Sequence, residues 1–291
     1  MMKNFVFIAF FGTVLAIDAP NKTTQVEEVE LFNIPGPEFG DLITNFPLVV
    51  IIPFGAVEQH GPHLPIGSDA ILATAAAKDI ARAWNTINGQ KAIVAPSFNY
   101  GFKSQTKSGG GETFAGTISL DGRTLVYMTR DVVRQYASQG ISRIVVMNGH
   151  WENVMMTIEG IDLAIRDLQL LRQDPITVIR MDLWDLIEDS TLETIFADVI
   201  TGFPGVELEH AGVIETSLMQ HYFPELVHMD RLPEVEEIAS FPPYDVHPQP
   251  LEGVWKPGNL APARGGTAEK GQLLANDYLN GGVQAMLDVF F

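Results

Sequence analysis

The sequence predicts an α/β protein, a three-layer α/β/α domain around a largely parallel sheet. Two observations carry the fold class. Four short runs rich in β-branched residues lack polar alternation, as expected of strands buried on both faces. Helix-period segments lie between them, the rhythm of strand–helix–strand crossovers. The domain plan rests on a third: no internal repeat, low-complexity tract or long polar linker divides the chain, so residues 20–291 read as one domain behind a leader at 1–19.

The elements follow in order. Lys3, an apolar run over 5–16 and Val14 with Ala16, which suit a cleavage site, have the layout of a secretory signal, and the run is too short to span a bilayer. This predicts export to a periplasmic or extracellular space if the leader is a signal, and a cytoplasmic protein otherwise. The first strand is 48–55, and Ser68 is positioned to cap a helix over 69–84. A second strand at 92–98 leads into a long loop over 99–121. A helix over 122–139 stops at Gly140, followed by a strand at 143–149, a helix over 152–172 and a strand at 176–183. A helix over 213–222 ends before Pro224. A Pro- and Gly-rich stretch, 230–266, is the second long loop, and a last helix covers 267–288.

Composition narrows the function. The chain has 291 residues, 46% of them apolar, enough for a substantial core. Eighteen Lys plus Arg against 36 Asp plus Glu give a formal charge of -18, which repels phosphate backbones and anionic lipid. The expected partner is a small-molecule substrate, with no nucleic acid and no membrane once the leader is removed. There is no Cys, hence no disulfide, thiolate zinc site or Cys nucleophile. Any metal must be held by His, Asp, Glu or water.

In open α/β sheets ligands bind beyond the carboxyl ends of the strands. The first predicted strand runs out into Gly55-Ala56-Val57-Glu58-Gln59-His60-Gly61, with Asp69 opening the next helix; the third runs out into Asn148-Gly149-His150-Trp151-Glu152-Asn153. Each strand end offers a carboxylate and an imidazole two residues apart, on one side of an extended chain. Glu58, His60, Asp69, His150 and Glu152 make an all-oxygen-and-nitrogen ligand set for two divalent ions, zinc or manganese or both, with one carboxylate bridging. A further cluster holds Glu209 and His210 near a helix start, where an imidazole oriented by an adjacent carboxylate suits acid–base work near neutral pH. The other histidines, His63, His221, His228 and His247, read as structural, with His63 the nearest to the metals.

These blocks resemble the creatininase family of metal-dependent amidohydrolases, from about Val29 to the carboxyl terminus. Lys103-Ser104-Gln105, Lys107-Ser108-Gly109-Gly110-Gly111, Trp184-Asp185, Glu215-Thr216-Ser217-Leu218 and Phe241-Pro242-Pro243-Tyr244-Asp245-Val246 extend the likeness, and the later blocks look like creatininase proper. The resemblance implies a homohexamer and a binuclear centre in which Asp69 bridges, Glu58 and His150 complete one metal, and His60 and Glu152 complete the other. It gives His210 the proton-transfer role, Glu209 its support, and Ser108 and Trp184 the pocket wall. The implied reaction is the opening of a small cyclic amide, creatinine to creatine, by a metal-activated hydroxide with His210 as proton donor. Two positions depart from the pattern of the creatinine hydrolases: Val206 stands where they carry a lid Trp, and Trp151 where they carry Tyr. Phe203 is the expected replacement aromatic. Other branches, a deformylase and a hydrolase of oxidised inositols, are the alternatives among enzymes, and a non-catalytic metal-binding subunit is the alternative outside them.

Overall fold

A computed structural model describes residues 28–105, 107, 111, 114–171, 173–244, 246–247 and 257–291. The leader at 1–19 and Ser108 lie outside the described residues. Helix α1 (Gly36–Asn45) precedes β1 (Leu48–Phe54), then α2 (Ser68–Asn85), β2 (Lys91–Val94), α3 (Gly122–Ser138), β3 (Arg143–Asn148), α4 (Asn153–Leu170) and β4 (Thr177–Asp182). Helices α5 (Asp189–Phe196), α6 (Val213–Tyr222) and α7 (Ala268–Phe290) follow. The strands form one parallel sheet in the order β2-β1-β3-β4.

Alternation along β1 produces the layers. Val49 and Ile51 face the alanine-rich side of α2 and, beyond it, Leu274, Ala275, Tyr278 and Met286 of α7. Val50, Ile52 and Phe54 face the other way, onto Leu125 and Val133 of α3 and Ala164 of α4. All seven β1 residues are buried, which is why the run shows no polar alternation.

Several boundaries differ from expectation, for local reasons. Strand β2 ends at Val94 instead of residue 98, because Pro96 offers no N–H to the ladder; beyond Val94, Ala95 N–H still donates to the Ile51 carbonyl at 2.8 Å, and past Pro96 Phe98 N–H donates to the Pro53 carbonyl at 2.9 Å. Ser68 is not a cap: it is the first residue of α2, and its hydroxyl donates to the Pro65 carbonyl at 2.7 Å. Helix α4 begins at Asn153, with Glu152 in the capping position. Helices α1 and α5 were not expected from the pattern. Gly36, Pro37 and Gly40 hide α1, which packs Phe39, Leu42 and Ile43 against the sheet. Helix α7 starts as expected, with the Thr267 side chain accepting from Lys270 N–H at 3.3 Å.

Two glycines bring the strand ends against α2. A Cβ on Gly55 would lie 2.2 Å from Ala70 N, and one on Gly149 would lie 2.7 Å from the Asp69 carbonyl oxygen. Their hydrogens let β1 and β3 close on the first turn of α2, the turn that carries Asp69.

Candidate metal centre

Asp69 sits between two imidazoles. His60 Nε2 is 2.9 Å from Asp69 Oδ1, and His150 Nδ1 is 3.0 Å from Asp69 Oδ2 and 3.1 Å from Glu58 Oε2. Glu58, His60, Asp69 and His150 are each at most 3% exposed. His60 Nδ1 lies 3.0 Å from the Glu58 carbonyl, which can only accept, so Nδ1 carries the proton and the Nε2 lone pair faces Asp69. With Nε2 unprotonated, two sets of lone pairs face each other in a buried space, an arrangement relieved by a proton on Nε2 or by a cation between them. His60 Nε2 and Asp69 Oδ2 also make no hydrogen bond, the mark of atoms built for another partner.

The electrostatics say the same. Burial pushes the Glu58 and Asp69 carboxyls up, but the facing imidazoles (His210 and His150 for Glu58, His60 and His150 for Asp69) hold both below the usual carboxylate range. Burial lowers His60 and His150, yet Asp69 with Glu215, and Glu58 with Asp69, raise them well above the ordinary histidine value. Positive charge is wanted there; divalent ions supply it.

Among the described residues, three groups of ligand atoms lie within 4.8 Å of one another: Glu58, Asp69 and His150; His60, Asp69 and Glu215; and Glu58, His60 and His210. The first is the set expected for one ion. In the second, Glu215 occupies the place given to Glu152. Glu215 Oε2 is 3.6 Å from His60 Nε2 and accepts from Ala211 N–H at 2.5 Å. Glu152 is brought to the cluster by another route than the extended pairing expected. It is in the helical region, with φ -70 and ψ -15, and its Oε2 lies 3.3 Å from His150 Nε2 while Oε1 accepts from Gln105 N–H at 3.1 Å.

His210 lines the same space, its ring 4.4 Å from that of His60 and its Nδ1 4.0 Å from Glu58 Oε2. Its orientation comes from Gln59, whose carbonyl accepts from Nε2 at 2.7 Å. Glu209 turns from His210 to α6: Oε2 accepts from Ile214 N–H at 2.9 Å at the helix start, and Oε1 makes no hydrogen bond. Burial pushes this carboxyl up to about 8. Ala211, at φ 53, makes a tight turn between His210 and α6. The sequence pattern gives no role to Gln59 or to Ser104, whose hydroxyl donates to Glu58 Oε1. Both lie inside the recognised blocks, which is the signal that could have found them.

A cavity of about 1150 Å³ opens from this cluster. Trp151 and Trp184 form one wall, with ring centroids 5.0 Å apart at 41°. Val206, Glu207, Phe241 and Pro242 also line it. Phe203 is not among the lining residues; it packs on Phe196 at 4.9 Å, so in this structure it does not replace the aromatic absent at Val206. His63 is buried away from the cavity against Thr216, 2.8 Å from its hydroxyl, and burial with the neighbouring His60 and His210 lowers it to about 4.

A parallel-sheet α/β/α domain with buried carboxylates and imidazoles converging beyond β1 and β3 defines a metal-dependent hydrolase. The chain belongs to the creatininase family: the family profile described as "Creatininase: Creatinine amidohydrolase" matches residues 34–286. It is 40% identical over 243 residues to the creatinine amidohydrolase of Pseudomonas putida, covering 83% of this chain and 90% of that one. A solved manganese form of creatininase superposes with a TM-score of 0.84 at 38% identity, covering 91% of this chain and 99% of that chain. A creatininase variant described as of Zn–Zn type gives 0.84 at 37% identity with the same coverage. The described residues include no helix long and apolar enough to cross a membrane.

Proposed function

We propose that the chain is a binuclear metal-dependent amidohydrolase that opens creatinine to creatine. The observation that carries this reading is the buried convergence of Glu58, His60, Asp69 and His150, in a chain 40% identical to a creatinine amidohydrolase. Glu58, Asp69 and His150 hold one ion; Asp69, His60 and a further carboxylate hold the other. That carboxylate is Glu152 by resemblance, and the engagement of Glu215 with Ala211 N–H supports leaving it as a clasp of the turn. Zinc and manganese both suit this donor set. When bound, the ions polarise the amide carbonyl and activate water.

The chain's own groups do the rest. The Gln59 carbonyl holds Nε2–H of His210, so its proton traffic passes through Nδ1, the nitrogen facing the cluster. An amide nitrogen leaves poorly unless protonated, and Nδ1 is placed to deliver that proton. Trp151 and Trp184 offer π faces to a planar guanidine-like ring. Ser108 belongs to the substrate wall by resemblance.

The cavity volume and Val206 together support a second reading, a related hydrolase with a bulkier substrate, such as another lactam or a keto-inositol. Metal content and creatine formation measured on one purified sample decide between them. About two equivalents of metal, with creatine formation falling at least ~10²-fold in His210→Ala, are expected. In the same assay Glu152→Gln is expected to fall towards one equivalent and Glu215→Gln to keep two. Bound metal without creatine formation moves the substrate to the second reading; a protein neither binding nor stabilised by zinc or manganese is a non-catalytic subunit. The reading also includes one domain over 20–291, a homohexamer, and export through the leader, tested by light scattering and by amino-terminal sequencing of secreted protein.

A further inference from the structure

One buried carboxylate lining the cavity takes no part in the centre described above. Asp182 closes β4, is 2% exposed, and stands directly across from Asn148 in the β3–β4 register. Its Oδ1 accepts from Asn148 Nδ2 at 2.8 Å. The same Nδ2 donates to the His150 carbonyl at 2.9 Å, and Asn148 Oδ1 accepts from His150 N–H at 3.2 Å. The Asn148 side chain therefore grips the backbone of His150 at both ends. Arg180, two residues before Asp182 and on the same face of β4, pairs its guanidinium with Asp182 Oδ2.

The chemistry of the amide gives Asp182 a specific task. An Asn side chain has a donor end and an acceptor end of nearly the same shape, and only its surroundings choose between two orientations. A carboxylate only accepts, so Asp182 reinforces the orientation that the His150 N–H and carbonyl also require, with Nδ2 towards Asp182 and Oδ1 left for His150 N–H. Arg180 gives the buried carboxylate a cationic partner. We propose that Asp182 is a positioning residue for His150 that acts through the orientation of the Asn148 amide and so sets affinity at the ion shared by Glu58, Asp69 and His150. This rests on the metal-binding reading above.

The test is zinc affinity by chelator competition and the visible spectrum of the Co(II)-loaded protein, with unfolding of the metal-free protein followed in parallel. Asp182→Leu is expected to weaken one of the two ions by ~10–100-fold and to shift the Co(II) bands, while leaving the other ion near wild type; its loss of the Arg180 pair also lowers the unfolding temperature of the metal-free protein. Asp182→Asn keeps the size and fold but allows either amide orientation, and is expected to lie between Asp182→Leu and wild type; if Asp182→Leu does not fold, it alone decides. Unchanged affinity and spectrum in the folded variants overturn the inference, as does a loss spread equally over both ions that follows the unfolding temperature. A wild-type protein that binds no metal overturns the metal reading itself, an outcome distinct from wild type and variants binding alike.

Discussion

His210 and its neighbours show how much single residues depend on where the backbone turns. Adjacency in the chain suggested that Glu209 orients His210, but the positive φ of Ala211 lets the chain reverse, and Glu209 turns to the start of α6 instead. The orienting carbonyl comes from Gln59, which lies far away in sequence and beside His210 in space. Glu209 carries a testable pH signature. Its folded carboxyl is raised by burial from 4.5 to about 8, so the folded state holds a proton that the unfolded state releases. The sign follows: this contribution to stability is complete below about pH 4.5 and is lost as the pH rises to about 8. Glu209→Gln keeps an oxygen for Ile214 N–H and removes the titration. In the presence of a chelator, the unfolding temperature of wild type is expected to fall relative to Glu209→Gln across that window; parallel curves would refute it.

Elements decide which of the legible residues meet. The strands and most helices were readable because burial on both faces leaves an apolar run and burial on one leaves a 3.6-residue period. Helices α1 and α5 were not, since one is masked by Gly and Pro and the other is only eight residues long. The strand ends reach Asp69 because Gly55 and Gly149 permit contact with α2, a constraint set by the partner surface rather than by local propensity. Gly149→Ala must push the first turn of α2 away, since its Cβ would stand 2.7 Å from a backbone oxygen. A loss of roughly 1–3 kcal/mol is expected, with weakened metal binding as Asp69 moves; thermal unfolding and metal titration of the variant check both. His150 and Glu152 do meet, at 3.3 Å, but through helical rather than extended backbone, because the chain has already entered the α4 cap.

At the scale of the whole molecule, where the net charge is -18, the buried Glu58 and Asp69 carboxylates are balanced in the metal-free protein by protons held on His60 and His150. Ions bound as proposed would stabilise the fold by mass action, about 2.7 kcal/mol each at a free concentration 100 times Kd. Removing them with a chelator is therefore expected to lower the unfolding temperature by several degrees, and readdition of zinc or manganese to restore it; an unchanged transition would argue against structural ions. By itself the sequence determined the layer order, the ligand types and the strand ends that carry them, because these follow from local patterns of burial and from short motifs. Only the tertiary structure decided that Gln59 and not Glu209 holds His210, that Glu215 reaches His60, that Phe203 stays off the cavity, and that Asp182 stands behind His150. Each of these depends on distances between segments remote in sequence, which are set by packing and carry no periodicity for the chain to display.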